Sequence, residues 1–409
     1  MFWDVVKTTA IRVILIIIGL AFNIITARAL GPANRGIYYF VCSLSMVIVQ
    51  FSFLGLTSSN TYIVAKRKAL LGKLASNSII ITLFVGGISS IVCALFYSFF
   101  SDESNYYQWF LLLMVPSSIF FTFATNLFVG ISNIKLFNIY NLAYNALAFI
   151  FGVIGLLLYN SVISLLVASS LNGLIISIML FCSLNKLCKI ELKFNFKIFK
   201  SGFFYALKSY INTLFALLIL RSQVFVLGYY CTDSEIGQYS IAAQLSETMI
   251  IMPQVISLIL FPKLVTMATE QRWKIALKNS FICSFIMLFG ALAAILFARP
   301  MIIFCFGENY SPAVTYLLYM QPGIICLSFA NILNQYLAAE GMPIHLSIVW
   351  FITLIISVIT SILLVPNMGA IGSGISLSIC YFSLAIMVLI MCIYNNRKTT
   401  LLAYQTGEL

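Results

Sequence analysis

The sequence predicts an all-α polytopic membrane protein, with about twelve transmembrane helices in two six-helix lobes related by a pseudo-two-fold axis along the membrane normal. Three observations carry that prediction. First, 62% of the 409 residues are hydrophobic and only 8% are charged, against about 25% charged in soluble domains; mean hydropathy is +1.06. Second, the apolar residues fall into runs long enough to cross a hydrocarbon core, which takes roughly 20 residues of helix. Runs such as Val13–Leu20, Ile79–Gly86 and Ile348–Val365 do not alternate in polarity, as the strands of a membrane barrel would. Helices satisfy their own backbone groups where lipid offers no partner. Third, the two halves carry matching landmarks about 200 residues apart.

The elements follow in order. The first span, 8–28, comes after Lys7. No small-residue cleavage site follows it, so it reads as a permanent helix and not as a signal peptide. A hairpin with Arg28 and Arg35 leads to 37–59. An inner segment carrying Lys66, Arg67, Lys68 and Lys73 precedes 77–100, and Asp102 and Glu103 follow that span. Next come 108–130 with Pro116 inside it, a turn with Lys135, and spans at 138–159 and 161–182. These make an N-terminal lobe, 1–182. The linker, 183–204, interleaves lysines from Lys186 to Lys200 with Phe194, Phe196 and Phe199; it reads either as a membrane-surface amphipathic segment or as a solvated connector. The C-terminal lobe, 205–409, holds spans at 205–229, 237–260, 278–298, 313–338, 344–365 and 370–394. Lys263, Arg272, Lys274 and Lys278 cluster between the second and third of these, and 299–312 is the longest outer loop. Pro322 lies inside the fourth. His345 opens the fifth as an interfacial residue, and Gly372-Ser373-Gly374 opens the last as a place of close helix packing. A short cytoplasmic tail starts at 395.

Charge sets the orientation. With both termini on one side, eighteen basic residues fall on the segments of that side and three, Arg28, Arg35 and Arg299, on the other. Lys and Arg gather on the cytoplasmic face, so both termini are expected in the cytoplasm. The net charge of +12 becomes a rim facing anionic headgroups. No basic stretch belongs to a soluble module, so no nucleic-acid partner is expected.

The landmarks define a repeat. Leu30-Gly31 followed by Gly36-Ile37-Tyr38 closes the first hairpin, and Leu227-Gly228 followed by Gly237-Gln238-Tyr239 closes the corresponding one in the second half. Pro116 precedes Phe123-Ala124 as Pro322 precedes Phe329-Ala330. Parallel repeats of this kind place substrate sites between the lobes. Proline removes a helix hydrogen bond and crowds the preceding turn, so Pro116 and Pro322 are candidate hinges.

Little in the chain points to catalysis. The cysteines are scattered without a C-x-x-C pair, there is one histidine, and neither a P-loop nor a Rossmann glycine pattern occurs. The chain is expected to be a transporter and not an enzyme, without metal or cofactor. Charges inside a bilayer are costly, and so mark function by default. The first span puts Thr8, Arg12, Gly19, Asn23 and Thr26 on one face. The seventh puts Lys208, Asn212 and Gln223 on one face, with Arg221 on the opposite side. The eighth aligns Ser240, Gln244, Glu247 and Gln254. A central cavity lined by Arg12, Asn23, Lys208, Asn212, Arg221 and Gln244, with Arg28 and Arg35 near its outer mouth, would be cationic and would select an anionic substrate. Arginine forks match phosphate oxygens. The single intramembrane acid, Glu247, is either a structural partner of Arg221 or a protonation switch for H⁺ or Na⁺ coupling. Arg12 could instead snorkel to the inner surface.

The hairpin Thr26-Ala27-Arg28-Ala29-Leu30-Gly31-Pro32-Ala33-Asn34-Arg35-Gly36-Ile37-Tyr38 resembles the Leu-Gly-Pro…Gly-x-Tyr signature of polysaccharide-repeat flippases, the Wzx-type exporters of the MATE/MOP (multidrug/oligosaccharidyl-lipid/polysaccharide) superfamily. Ile236-Gly237-Gln238-Tyr239-Ser240-Ile241-Ala242-Ala243, Leu260-Phe261-Pro262 and Val365-Pro366-Asn367-Met368-Gly369-Ala370-Ile371-Gly372 are similar to further segments of that family. The resemblance implies a lobe-against-lobe flippase in a bacterial inner membrane. Its cargo would be an undecaprenyl-diphosphate-linked O-antigen or similar repeat unit, handed to polysaccharide polymerase machinery. It also implies that cationic lumen residues hold the diphosphate, with Arg12, Arg28, Arg35 and Arg221 as candidates. Two alternatives share the fold: a flippase for another anionic lipid-linked precursor, and a MATE-type cation or drug antiporter. The antiporter needs membrane-embedded acids, and the first half carries only Asp4, Asp102, Glu103 and Glu191, all outside its spans.

Overall fold

The structure, a computed structural model, describes residues 2–53, 55–100, 106–267, 269–341 and 344–406. Among them it contains twelve α-helices, two short 3-10 turns and no strand. The expected Asp102 and Glu103 fall outside these residues, as do the side chains of Lys7, Thr8 and Lys208.

Two compact units result, Met1–Leu214 and Phe215–Leu409. The first contains α1 (Phe2–Phe53), α2 (Leu56–Lys66), α3 (Leu71–Phe100), α4 (Tyr107–Gly130), α5 (Ile134–Leu158), α6 (Val162–Leu187) and the start of α7 (Phe196–Tyr230). The second contains the rest of α7, then α8 (Asp233–Thr266), α9 (Thr269–Phe306), α10 (Pro312–Ala339), α11 (Ile344–Met368) and α12 (Ala370–Thr406).

The first two expected spans are both inside α1. Its 52 residues would run about 78 Å if straight, far more than a bilayer core of about 30 Å. The helix breaks at Gly31, whose φ of 71° and ψ of 174° are not helical; that combination is open essentially to glycine alone. Two crossings thus join without a loop. The second ends earlier than its hydropathy indicates, at Phe53, because Gly55 takes a left-handed conformation (φ 72°) and starts the separate 11-residue helix α2.

Each unit is organised around one central helix. In the first, α4 packs on α1, α2, α3, α5 and α6, and Val115, Ile119, Phe123 and Leu127 along it are fully buried. In the second, α10 packs on α8, α9 and α12, with Leu333 and Leu337 fully buried. Pro116 lies within α4 and Pro322 within α10, so the two prolines sit in the central helix of each unit. The expected tight contact at Gly372 and Gly374 is present: a Cβ on Gly372 would come within 2.7 Å of Leu364, and one on Gly374 within 3.1 Å of Tyr319.

Two expectations are corrected. The outer loop at 299–312 is largely helix, since α9 continues through Arg299 and Pro300 to Phe306. Ile302 and Phe306, one turn apart, are buried, and Phe306 meets Tyr310 edge to face at 6.3 Å; packing overrides the Arg-Pro stop signal. The tail beyond 394 also continues as helix, to Thr406.

Candidate functional site

In the first unit, the polar face of α1 divides. Arg12 is exposed beside exposed Val13 and Ile14, and Arg28 is exposed near the Gly31 break. Asn23 and Arg35 meet. Arg35 is only 2% exposed. Its Nη1 donates to Thr26 Oγ1 at 2.6 Å and to Asn23 O at 3.2 Å, and its Nη2 donates to Asn23 Oδ1 at 3.4 Å. The planar guanidinium fork suits this set of oxygens from one short stretch of chain. The contact exists because the chain folds back at Gly31, bringing residue 35 alongside 23 and 26. Arg35, expected at the mouth of a cavity, is therefore engaged in closing the hairpin. Further along the unit, Asn212 on α7 is half-buried, and its Oδ1 is a buried acceptor with no hydrogen-bond partner among the described residues. Lys208 stands one turn earlier on the same helix.

In the second unit, Arg221 and Glu247 pair. Arg221 Nη2 lies 3.1 Å from Glu247 Oε1 and 3.4 Å from Oε2. The arginine side chain is 8% exposed and the glutamate 34%. α7 runs through Arg221 without interruption, so Arg221 serves a second surface, toward α8, and not the Asn212 face. A cavity of about 20 Å³ adjoins Glu247, lined by Tyr239, Ser246, Met320 and Tyr381 among others; that is room for about one water. Gln244 lies one turn before Glu247 on α8 and is half-buried. A phosphate could compete with the carboxylate for the guanidinium, and protonation of Glu247 would release it.

Gln223 was expected on the Asn212 face. It is instead fully buried among small hydroxyls of α11 and α12. Its Nε2 donates to Ser357 Oγ at 2.9 Å and Ser376 Oγ at 3.4 Å, and its Oε1 accepts from Ser361 at 3.0 Å. It is a packing residue. A second ion pair escapes sequence reasoning altogether: Arg272 Nη1 lies 3.1 Å from Glu340 Oε1. Only the excess of Lys and Arg around residues 263–278 hinted that something acidic would be drawn there.

Comparison with known proteins supplies three likenesses. Residues 25–315 match the family described as polysaccharide biosynthesis protein. A probable low-salt glycan biosynthesis flippase, Agl15, of Haloferax volcanii is 22% identical over 220 residues, covering 53% of this chain and 46% of that protein; the chain thus spans less than half the length of this relative. Among solved structures, the lipid II flippase MurJ in an inward closed conformation superimposes with a TM-score of 0.77 at 17% identity, covering 98% of this chain and 93% of that one. The inward-facing conformation of a multidrug resistance MATE family transporter of the MOP superfamily gives 0.73 at 14% identity, covering 94% and 95%. The multi-pass membrane fold is the one these transporters share.

Proposed function

The chain belongs to the polysaccharide biosynthesis protein family, and from that premise we propose that it is a flippase for a lipid-linked glycan precursor. The observation that carries the reading is the family match across residues 25–315, on a fold common to a lipid II flippase and a MATE transporter. The cargo we assign is an undecaprenyl-diphosphate-linked oligosaccharide, an O-antigen or similar repeat unit. It moves from the cytoplasmic to the periplasmic leaflet of a bacterial inner membrane and passes on to polymerase machinery.

The physics explains why such a step needs a protein. Moving one unpaired charge into a low-dielectric interior costs about 20 kcal/mol in the idealised limit, so a diphosphate with sugars does not cross lipid unaided. Cationic side chains replace its hydration. Arg12, Arg28 and Lys208 contribute charge in this reading. Asn212 offers a polar contact, and Arg221 is released when Glu247 takes up a proton or Na⁺. Pro116 and Pro322 allow the central helices to bend during alternating access. A membrane potential negative inside also favours outward movement of an anion, by about 2.3 kcal/mol per charge per 100 mV. The antiporter alternative is disfavoured by the distribution of acids: Glu247 is engaged with Arg221, and the spans of the first half contain no Asp or Glu.

The test is the leaflet distribution of the lipid-linked oligosaccharide, read with an impermeant probe in cells with and without the gene. Loss of the outward-facing signal with accumulation inside is expected, and Arg12→Ala and Arg221→Ala should each reduce it. An unchanged outer signal in cells lacking any redundant exporter overturns the assignment. Orientation is checked separately with single-cysteine variants: Cys231 in the α7–α8 turn should react with an impermeant maleimide from outside, and Cys188 in the α6–α7 connector only after permeabilisation. Burial pushes both thiols up, Cys231 to about 12 with Glu235 adding to the shift, so labelling is expected to speed up as pH rises from 7 to 9.

A further inference from the structure

The first unit carries a second cationic feature, away from the residues assigned to translocation. At the junction of α2, α3 and α7 lies a pocket of about 460 Å³, into which Lys66, Arg67, Lys73 and Lys197 converge beside Tyr62 and Asn195. No carboxylate is among its lining residues. Four positive charges around one concavity repel one another unless an anion joins them.

The pocket is built and not merely a cluster of mobile lysines. Asn77 on α3 is 3% exposed and grips the backbone of Asn195 in both directions: Asn195 N donates to Asn77 Oδ1 at 2.7 Å, and Asn77 Nδ2 donates to Asn195 O at 3.1 Å. Asn195 Oδ1 in turn accepts from Ile198 N at 3.1 Å, capping the start of α7. This places the positive end of a 35-residue helix, and Lys197 on its first turn, at the pocket wall. On the opposite wall, the Lys66 ammonium sits 4.5 Å from the centre of the Tyr62 ring.

Beside the pocket lies an apolar ledge. Phe199 contacts Phe194, Phe196 and Phe203 at ring-centre distances of 5.5, 6.2 and 5.7 Å, while Phe194 and Phe196 remain 42% and 64% exposed and Leu192 65%. Exposed aromatic rings beside lysines are the composition of a surface seated at headgroup depth. Residues at or beside the α2–α3 and α6–α7 connections line this one pocket, and the sequence around both is rich in Lys and Arg.

We infer that this pocket binds the phosphate or diphosphate headgroup of a lipid in the inner leaflet, with the phenylalanine ledge alongside its chain. The ligand chemistry has two sources, a resident anionic phospholipid or a prenyl diphosphate. The inference does not depend on the flippase reading, since either lipid is present in a membrane whether or not it is moved.

The test uses the full chain in nanodiscs of neutral phosphatidylcholine with a photoreactive short-chain prenyl diphosphate, and locates the label by peptide mapping. Label is expected on the peptides containing residues 62–73 and 195–198. Combined Lys66→Gln, Arg67→Gln, Lys73→Gln and Lys197→Gln should weaken it about a thousandfold, at about 1 kcal/mol for each charge near the surface. A Lys→Arg variant at 66, 73 and 197 should keep it, which separates charge from folding. Displacement by phosphatidylglycerol at equal mole fraction would identify the occupant as a phospholipid; retention against excess phosphatidylglycerol would identify it as a prenyl diphosphate. Equal displacement by inorganic pyrophosphate alone would overturn the lipid part of the inference. Label elsewhere on the chain, or label unchanged by neutralisation, would overturn all of it. The readout is the position of the label, so a failure here leaves the transport assay unaffected, and the reverse also holds.

Discussion

Two junctions related by the repeat, one in each unit, treat the same charge in opposite ways. In the second unit, Arg272 closes the α8–α9 junction. It donates to Met267 O at 2.9 Å and Val265 O at 3.2 Å, the carbonyls where α8 ends, and to Glu340 at 3.1 Å. In the first unit, the corresponding junction opens into α2, a 3-10 turn and a pocket lined by Lys66, Arg67, Lys73 and Lys197. The difference is a division of labour. At one junction an arginine is consumed in holding helices together, and at the other four cations line a concavity. A count of positive-inside residues sees both as the same signal.

This contrast can be broken by mutation, and the largest effect is expected in the second unit. Arg272→Ala removes three polar contacts and strands Glu340, whose side chain is 15% exposed; a loss of about 3 kcal/mol is expected in detergent unfolding. The double variant with Glu340→Ala should lose less than the sum of the single changes. If Arg272→Ala unfolds like the parent, the junction is not held as described. Gly31→Ala comes next, at about 2 kcal/mol, because alanine tolerates the backbone angles of the hairpin break poorly. Gln223→Leu should cost about 1 kcal/mol, the scale of buried polar contacts between membrane helices. Lys66→Gln should change stability by less than about 0.5 kcal/mol while still weakening headgroup labelling. A large stability loss there would make the first unit's junction structural too, and erase the contrast.

Much of this architecture is readable from the residues. Apolar runs locate twelve crossings, including the two merged in α1, and Pro116 and Pro322 mark the central helix of each unit. What is hidden depends on contacts remote in sequence or on backbone angles. Gly55 reads as one more apolar position until its left-handed angle ends the helix. Arg35 reads as an outer-loop charge, since nothing local reveals that the fold-back at Gly31 delivers it to Asn23 and Thr26. Helical periodicity puts Gln223 beside Asn212 but cannot show that Ser357, Ser361 and Ser376 surround it. The pairing of Arg221 with Glu247 is one of the two readings that the sequence leaves open, since a lone membrane acid and a deep arginine are natural partners but helical periodicity does not bring them together. The Asn77–Asn195 clasp, 118 residues apart, had no sequence signal, so neither did the pocket it shapes.

The two buried polar knots also differ in when they can form. Arg35 and Thr26 are 9 positions apart, so the first hairpin can latch soon after it leaves the ribosome and enters the bilayer. Gln223 must wait for Ser357 and Ser376, 134 and 153 positions downstream, until α11 and the start of α12 have been synthesised. Domains settle in the order they emerge. On that clock, the Gln223 hydroxyl knot is the last seal of the second unit. Until Ser357 and Ser361 arrive, the Gln223 amide lacks the partners that satisfy it in the folded chain, and Ser376 adds the last contact.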